Sequence, residues 1–353
     1  MNTLNDKIDS ISNISEHYLI KAKNTNHKYF ADFLGVAKVL NQLLTKSEFD
    51  VWCTEKMQLK QQAFIEKTFI QYAVETSIVK FFGENFPTGF KVELKINPSN
   101  KKDVDCQFSN NGYTYNVEVK CADYSTKEAV ENSDAIKYST AGRLPDRGAE
   151  TIKILSSAID EGMTNKGESI KPHSISKNMD NNLKDFLELA HEKFIKTNTE
   201  DDVNVLIVGC DDDNDIQCWI NYLFAEEGLF TNRTFADKDK YRNVDIVVLT
   251  NLYYKHNKYY NKEIESSWDF GNGFNLVICN PFRHSRKEKA IANFADLLPN
   301  CTKEFDNYVV PGSAPNYVKE VVKVRWFVKD YLEKEQGIYF FSKQEGENNK
   351  NEE

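Results

Sequence analysis

The sequence predicts an α/β protein with a mixed central β-sheet flanked by helices, and three observations carry that expectation. A long helical pattern precedes three short strand-like runs at 90–96, 103–108 and 113–121. Three later runs, "VNVLIVGC" (203–210), "VDIVVLTN" (244–251) and "FNLVICNPF" (274–282), are apolar and β-branched, as strands buried on both faces are. Helical stretches such as "DIQCWINYLFAEEG" lie between them, so strands and helices share one unit.

In chain order, the first 60 residues read as helices, with Phe30, Phe33, Leu34, Ala37, Leu40 and Leu44 near helical spacing. A longer helix follows over 60–82, its apolar face supplied by Phe64, Ile65, Phe69, Tyr72, Ala73, Ile78 and Phe81, and Gly83, Pro87 and Gly89 end it. The second and third strands are joined by "SNNG", a tight-turn sequence, which makes a meander. A Ser/Lys/Gly-rich stretch at 125–180, with a helix near "AETIKILSSAID", leads to a helix around "NLKDFLELAHEKFI". The C-terminal "NYVKEVVKVRWFVKDYLEKE" reads as an amphipathic helix, and "EGENNKNEE" as a disordered tail.

With 353 residues, 40% of them hydrophobic, the chain can bury a large core. No run of 18 apolar residues occurs and the first residues lack a secretory pattern, so the expected location is cytoplasmic and no membrane partner is expected. The seven cysteines show no zinc-binding spacing and read as reduced core residues. A net charge of −9 argues against a surface basic all over, while leaving room for a local cleft that binds nucleic acid.

The chemistry concentrates in "VDCQFSNNGYTYNVEVK", residues 104–120. Side chains alternate across a strand, so Val104, Cys106 and Phe108 share one face and Asp103, Asp105 and Gln107 the other. On the next strand Tyr115, Val117, Val119 and Cys121 oppose Asn116, Glu118 and Lys120. Pairing the two dry faces through the "SNNG" turn brings Asp105, Glu118 and Lys120 onto one surface. Two carboxylates a few ångströms apart are costly to keep ionised unless a cation sits between them, and oxygen-only ligation suits Mg2+. A neighbouring lysine can orient the attacking water.

Asp105, followed thirteen positions later by Glu118-Val119-Lys120 on the next strand, resembles the PD-(D/E)XK motif of the restriction-endonuclease-like nuclease superfamily. The resemblance covers about 64–120, with 203–210 and 244–251 as later core strands; Pro98 stands too far upstream to be the motif's proline. It implies a restriction-endonuclease-like core hydrolysing phosphodiester bonds, most plainly as a DNA endonuclease of restriction, phage defence or repair, with RNA left open as substrate. It implies Mg2+, with Mn2+ as a substitute, held by Asp105 and Glu118 and by the backbone carbonyl of Val119, and Lys120 positioning the water. The family often adds a helix glutamate; Glu66 fits that slot best, with Glu75 as the alternative.

Bland readings compete with each motif. Glu93-Leu94-Lys95 repeats the Glu-x-Lys spacing without an aspartate on an earlier strand and reads as a solvated strand face. The acids of "VGCDDDND" (208–215) suit the start of the following helix. "VICNPF" resembles an amino-methyltransferase motif lacking one proline and reads as a strand-ending turn, while Arg143, Arg147 and "RHSRKEK" (283–289) suit either phosphate contact or solvated loops. The expected organisation is an N-terminal helical extension (1–55), a nuclease core (56–282), a C-terminal helical segment (283–340) and a tail (341–353). The rival function is an inactive nucleic-acid- or protein-binding module on the same fold. A homodimer or a partner protein is compatible with either.

Overall fold

The computed structural model describes residues 2–138, 148–175, 179–196, 199–224 and 227–298; Arg143, Arg147, the C-terminal helix and the tail lie outside them. Eight strands occur among these residues: β1 (Lys91–Leu94), β2 (Val104–Asn110), β3 (Tyr113–Cys121), β4 (Ile136–Tyr138), β5 (His173–Ile175), β6 (Asp202–Gly209), β7 (Ile246–Thr250) and β8 (Asn275–Cys279). Six of them form one mixed sheet in the order β1-β2-β3-β6-β7-β8, and β4 and β5 pair separately.

The β2–β3 hairpin closes as its sequence demands. Asn111 and Gly112 both have positive φ, 52° and 86°, the condition of a two-residue type I′ turn, and Asn110 pairs with Tyr113 across it. β1 and β2 also run antiparallel, whereas β3, β6 and β7 are mutually parallel and β8 returns antiparallel. The crossover from β3 to β6 ends in the helix Asn182–Lys193. β6, β7 and β8 are buried almost throughout, which is why their sequences carry no alternation.

The helix Glu66–Asn85 packs on the dry face of the meander: Phe82 stacks on Phe108 at 4.3 Å between ring centroids. The helix Glu288–Ala295 covers Tyr115, whose hydroxyl donates to the Ala290 carbonyl at 2.9 Å. N-terminal helices lie outside Glu66–Asn85, with Trp52 Nε1 donating to Thr76 Oγ1 and buried His256 bridging Tyr29 and Ser77. One continuous apolar cluster runs from Leu4 to Leu298. The first 55 residues therefore join the same apolar cluster as the sheet, packed outside Glu66–Asn85.

One expected boundary is corrected. The helix begins at Glu66 instead of residue 60, because a π-helical turn at Trp52–Lys56 is followed by irregular backbone, and the Gln58 amide brackets both the N–H and the carbonyl of Ile65 at 2.9 Å. Phe64 thus stands ahead of the helix, against His17, Tyr18 and Phe69.

Candidate active site

Asp105, Glu118 and Lys120 meet on the polar face of the hairpin. Regular β2–β3 pairing stops at Cys106 with Val117. Immediately beyond it the Asp105 carboxylate replaces the ladder, its Oδ2 accepting the Val119 N–H at 2.6 Å. A strand residue points its N–H and its carbonyl to the same edge, so the Val119 carbonyl also faces this parting between the strands. Lys120 Nζ lies 2.5 Å from Glu118 Oε1.

That polar face is covered. Glu118 is fully buried, and a second lysine reaches it: Lys193 Nζ stands 2.6 Å from Oε1 and 2.8 Å from Oε2. Lys193 closes the helix Asn182–Lys193, whose end is clasped by the β1–β2 connection. Asn97 Nδ2 donates to the Glu192 and Phe194 carbonyls, Asn100 Nδ2 to the Glu192 carbonyl, and Lys102 pairs with the Glu192 carboxylate. The polar layer extends along the sheet as Gln107 donates to Asn116 at 2.7 Å and Asn116 to Asn204 at 3.0 Å.

Electrostatics follow from this crowding. Burial, then the facing charges of Glu75 and Glu118, push the Asp105 carboxyl well above the usual carboxylate range, against the pull of Lys193 and the Val119 N–H. Burial acts to lower the Lys120 ammonium, yet the carboxylates of Glu118, Asp105 and Glu75 outweigh it and raise it. Lys120 is therefore a fixed positive charge and hydrogen-bond donor at neutral pH, not a base.

The helix carboxylate is a correction. Glu66 sits away from this group: its Oε1 accepts the Tyr18 hydroxyl at 2.5 Å, and it lines two surface cavities of about 330 and 480 Å3 that share Phe64. Glu75, not Glu66, is the charge that bears on Asp105 and Lys120. The nine positions between them amount to two and a half turns, which sends the two side chains in opposite directions. Glu75 is held by Lys56 at 2.7 Å, and Lys56 also takes Glu93 at 2.6 Å. Beside them lies a cavity of about 170 Å3 lined by Leu40, Val51, Trp52 and Val79 as well as Lys56 and Glu75.

Other motifs resolve into structure. Glu93 is mostly exposed, as expected of a solvated strand face. Asp212 Oδ1 caps the following helix by accepting the Asp215 N–H at 2.8 Å, while Lys127 gathers Asp211 and Asp212. Asn280 of the "CNPF" stretch is spent on the Tyr241 and Val244 carbonyls. In the 283–289 run, Lys287 is buried against Asp245 at 2.7 Å and is not available to phosphate, while Arg283 donates to the Asn280 and Arg286 carbonyls. The six cysteines among the described residues are free thiols. No helix among those residues is long and apolar enough to cross a membrane.

Lys193 and Lys56 carry no sequence signal of their own. A lysine ending a helix is ordinary, since it answers the helix dipole.

The donor chemistry here, carboxylates with a backbone carbonyl beside them, suits a hard divalent cation. Among the described residues, however, no three His, Cys, Asp or Glu side chains are gathered closely enough to hold a metal ion. Both Glu118 oxygens are engaged by lysine ammonium groups, so the residues fit a cation on condition that Lys120 and Lys193 give up part of their hold. Comparison with known proteins brings no match: no family model fits the chain, and no curated protein or solved structure matches it.

Proposed function

We propose that this chain is a metal-dependent nuclease that hydrolyses phosphodiester bonds, with DNA as the first substrate to test. The observation that carries the reading is the parting of β2 and β3, where Asp105, Glu118 and Lys120 share one face at the only point where the hairpin ladder gives way to a side-chain bond. The later strands β6 and β7 lying in the same sheet agree with the resemblance to the restriction-endonuclease-like superfamily.

In this reading Asp105 and Glu118 hold the cation, with the Val119 carbonyl beside them and Glu75 taking the place expected of Glu66. Mg2+, or Mn2+ in its stead, supplies concentrated positive charge that offsets the phosphodiester anion and makes water a better nucleophile. Lys120 donates a hydrogen bond that orients that water and keeps its ammonium beside the charge that develops on phosphorus oxygens. Glu118 fixes Lys120 in turn.

The test is incubation of plasmid DNA with the protein and Mg2+, Mn2+ or chelator. The expected result is nicking or linearisation that chelator abolishes and that Asp105→Ala and Glu118→Ala lack. The lysine hold on both Glu118 oxygens favours one alternative, a binding module on the same fold. DNA retention without cleavage under both metals, and with RNA as well, would select that module.

A further inference from the structure

We infer that Lys193 is a positioning residue that competes with a divalent cation for Glu118, so that cation and nucleic acid bind in a mutually dependent way. The inference rests on the nuclease reading and adds to it a residue outside the Asp and Glu-x-Lys pattern.

Three observations carry it. Lys193 spans both oxygens of a carboxylate that is fully buried, the geometry of a group filling a coordination position rather than of a passing surface contact. The end of its helix is held on either side of it, by Asn97 and Asn100 on the Glu192 and Phe194 carbonyls and by Lys102 on the Glu192 carboxylate, so the ammonium is aimed at Glu118 by the fold. Its charge also acts on Asp105, the carboxylate across the strand.

Charge balance then sets the consequence. Lys120 and Lys193 set two ammonium groups against the buried Glu118, while burial and the charges of Glu75 and Glu118 hold Asp105 toward its neutral form. A divalent cation added here joins charge that is already positive, and a phosphodiester anion would offset it. Without a polyanion the incoming ion meets two ammonium groups a few ångströms away, and like charges at that range oppose it strongly. With one, Lys193 can turn from Glu118 toward phosphate oxygens, since about a fifth of its side chain is already exposed. Linkage makes the effect reciprocal: nucleic acid tightens the cation and the cation tightens nucleic acid.

The experiment titrates Mn2+ into the full chain, following free Mn2+ by electron paramagnetic resonance, with and without a short phosphorothioate DNA duplex that resists cleavage. Wild type, Lys193→Met and Lys193→Arg are compared at one mildly alkaline pH. Lys193→Met should bind Mn2+ about tenfold or more tightly without DNA, because a repelling unit charge is gone. The gain on adding DNA should shrink in it, and Lys193→Arg, which keeps the charge, should behave as wild type. Mn2+ affinity unchanged or weaker in Lys193→Met, in protein that melts as wild type does, overturns the inference. If Lys193→Met fails to fold, Lys193→Gln replaces it, and the coupling in wild type alone still decides: no effect of DNA on Mn2+ affinity is fatal. Wild type that cleaves DNA while showing no coupling sinks only the role of Lys193. Wild type that neither cleaves nor binds Mn2+ sinks the nuclease reading with it.

Discussion

Glu66 and Glu75 provide a pair of substitutions whose effects should separate function from stability. Both are on one helix, both are acids, and only their direction differs. Glu66→Gln keeps an acceptor for the Tyr18 hydroxyl but removes its charge, and the 2.5 Å bond to a phenol that is 2% exposed loses its ionic character. Charge-assisted bonds exceed neutral ones by about 1 kcal/mol, so Glu66→Gln should lower unfolding free energy by roughly that amount and leave cleavage unchanged. Glu75→Gln loosens Lys56, which retains Glu93 as a partner at 2.6 Å, so its stability cost should stay within about 1 kcal/mol. Its effect on activity should be larger: groups that support metal ligands from just outside them typically account for about 10- to 100-fold. Urea unfolding gives the first quantity and initial rates of plasmid nicking with Mn2+ give the second. Equal loss of nicking in Glu66→Gln and wild-type rates in Glu75→Gln would refute the placement of the helix carboxylate.

Asp105→Asn keeps an oxygen for the Val119 N–H while removing a charge that burial, then Glu75 and Glu118, disfavour. Its melting temperature should rise and its nicking vanish, and a fall in melting temperature would contradict the electrostatic account. Lys120→Met should lower the nicking rate more than it lowers Mn2+ affinity, because in the proposed mechanism the ammonium orients water and binds no metal; a Mn2+ affinity that falls in step with the rate would argue otherwise. Asp215 is pushed up to about 6 by burial, with Lys127 and Tyr124 pulling the other way. A raised carboxyl favours the fold below its unfolded value near 4 and loses that advantage as pH rises to about 6, a change of roughly 3 kcal/mol. Asp215→Asn should therefore be the more stable protein at neutral pH, by up to ~3 kcal/mol, and no better near pH 4; parallel stability curves for the two proteins would reject this. Gly83→Ala would place a Cβ 2.3 Å from Leu43 and 2.9 Å from Phe90, so the mutant should be less stable by about 1–3 kcal/mol despite alanine's better helix propensity.

The hairpin was legible because its information is local. Strand alternation and "NNG" fix which side chains share a face, and Asp105, Glu118 and Lys120 need nothing distant to converge. The apolar runs at β6, β7 and β8 were legible for the same reason. The helix carboxylate was not, because Glu66–Asn85 is buried between the sheet and the N-terminal helices, and burial on most sides erases the amphipathic stripe that would reveal its orientation. Lys193 meets Glu118 across 75 positions, and Lys287 turns inward only because Asp245 waits 42 positions earlier. Such pairs are set by tertiary packing, and the basic run at 283–289 accordingly reads as surface in the sequence while Lys287 within it is core in the fold.

The way the site is built also explains why so short a motif can be specific. A hairpin that paired to its end would close the edge between β2 and β3, with the Val119 N–H and carbonyl consumed in the ladder. Asp105 prevents that by taking the N–H with its own side chain, which leaves the Val119 carbonyl facing the gap and brings a carboxylate to the place where the strands part. One residue thus ends the pairing, orients the backbone acceptor and supplies a negative charge. Glu118 follows on the facing strand, buried so deeply that it needs cations, and it obtains them from Lys120 beside it and Lys193 above it. The spacing from Asp105 to Glu118 is then not a free parameter: given a two-residue turn after Asn110, only residue 118 stands opposite residue 105, and only residue 120 shares its face one step nearer the open end. Shifting either acid by one position would turn it toward the apolar face where Phe82 stacks on Phe108, and burying a charge there is costly.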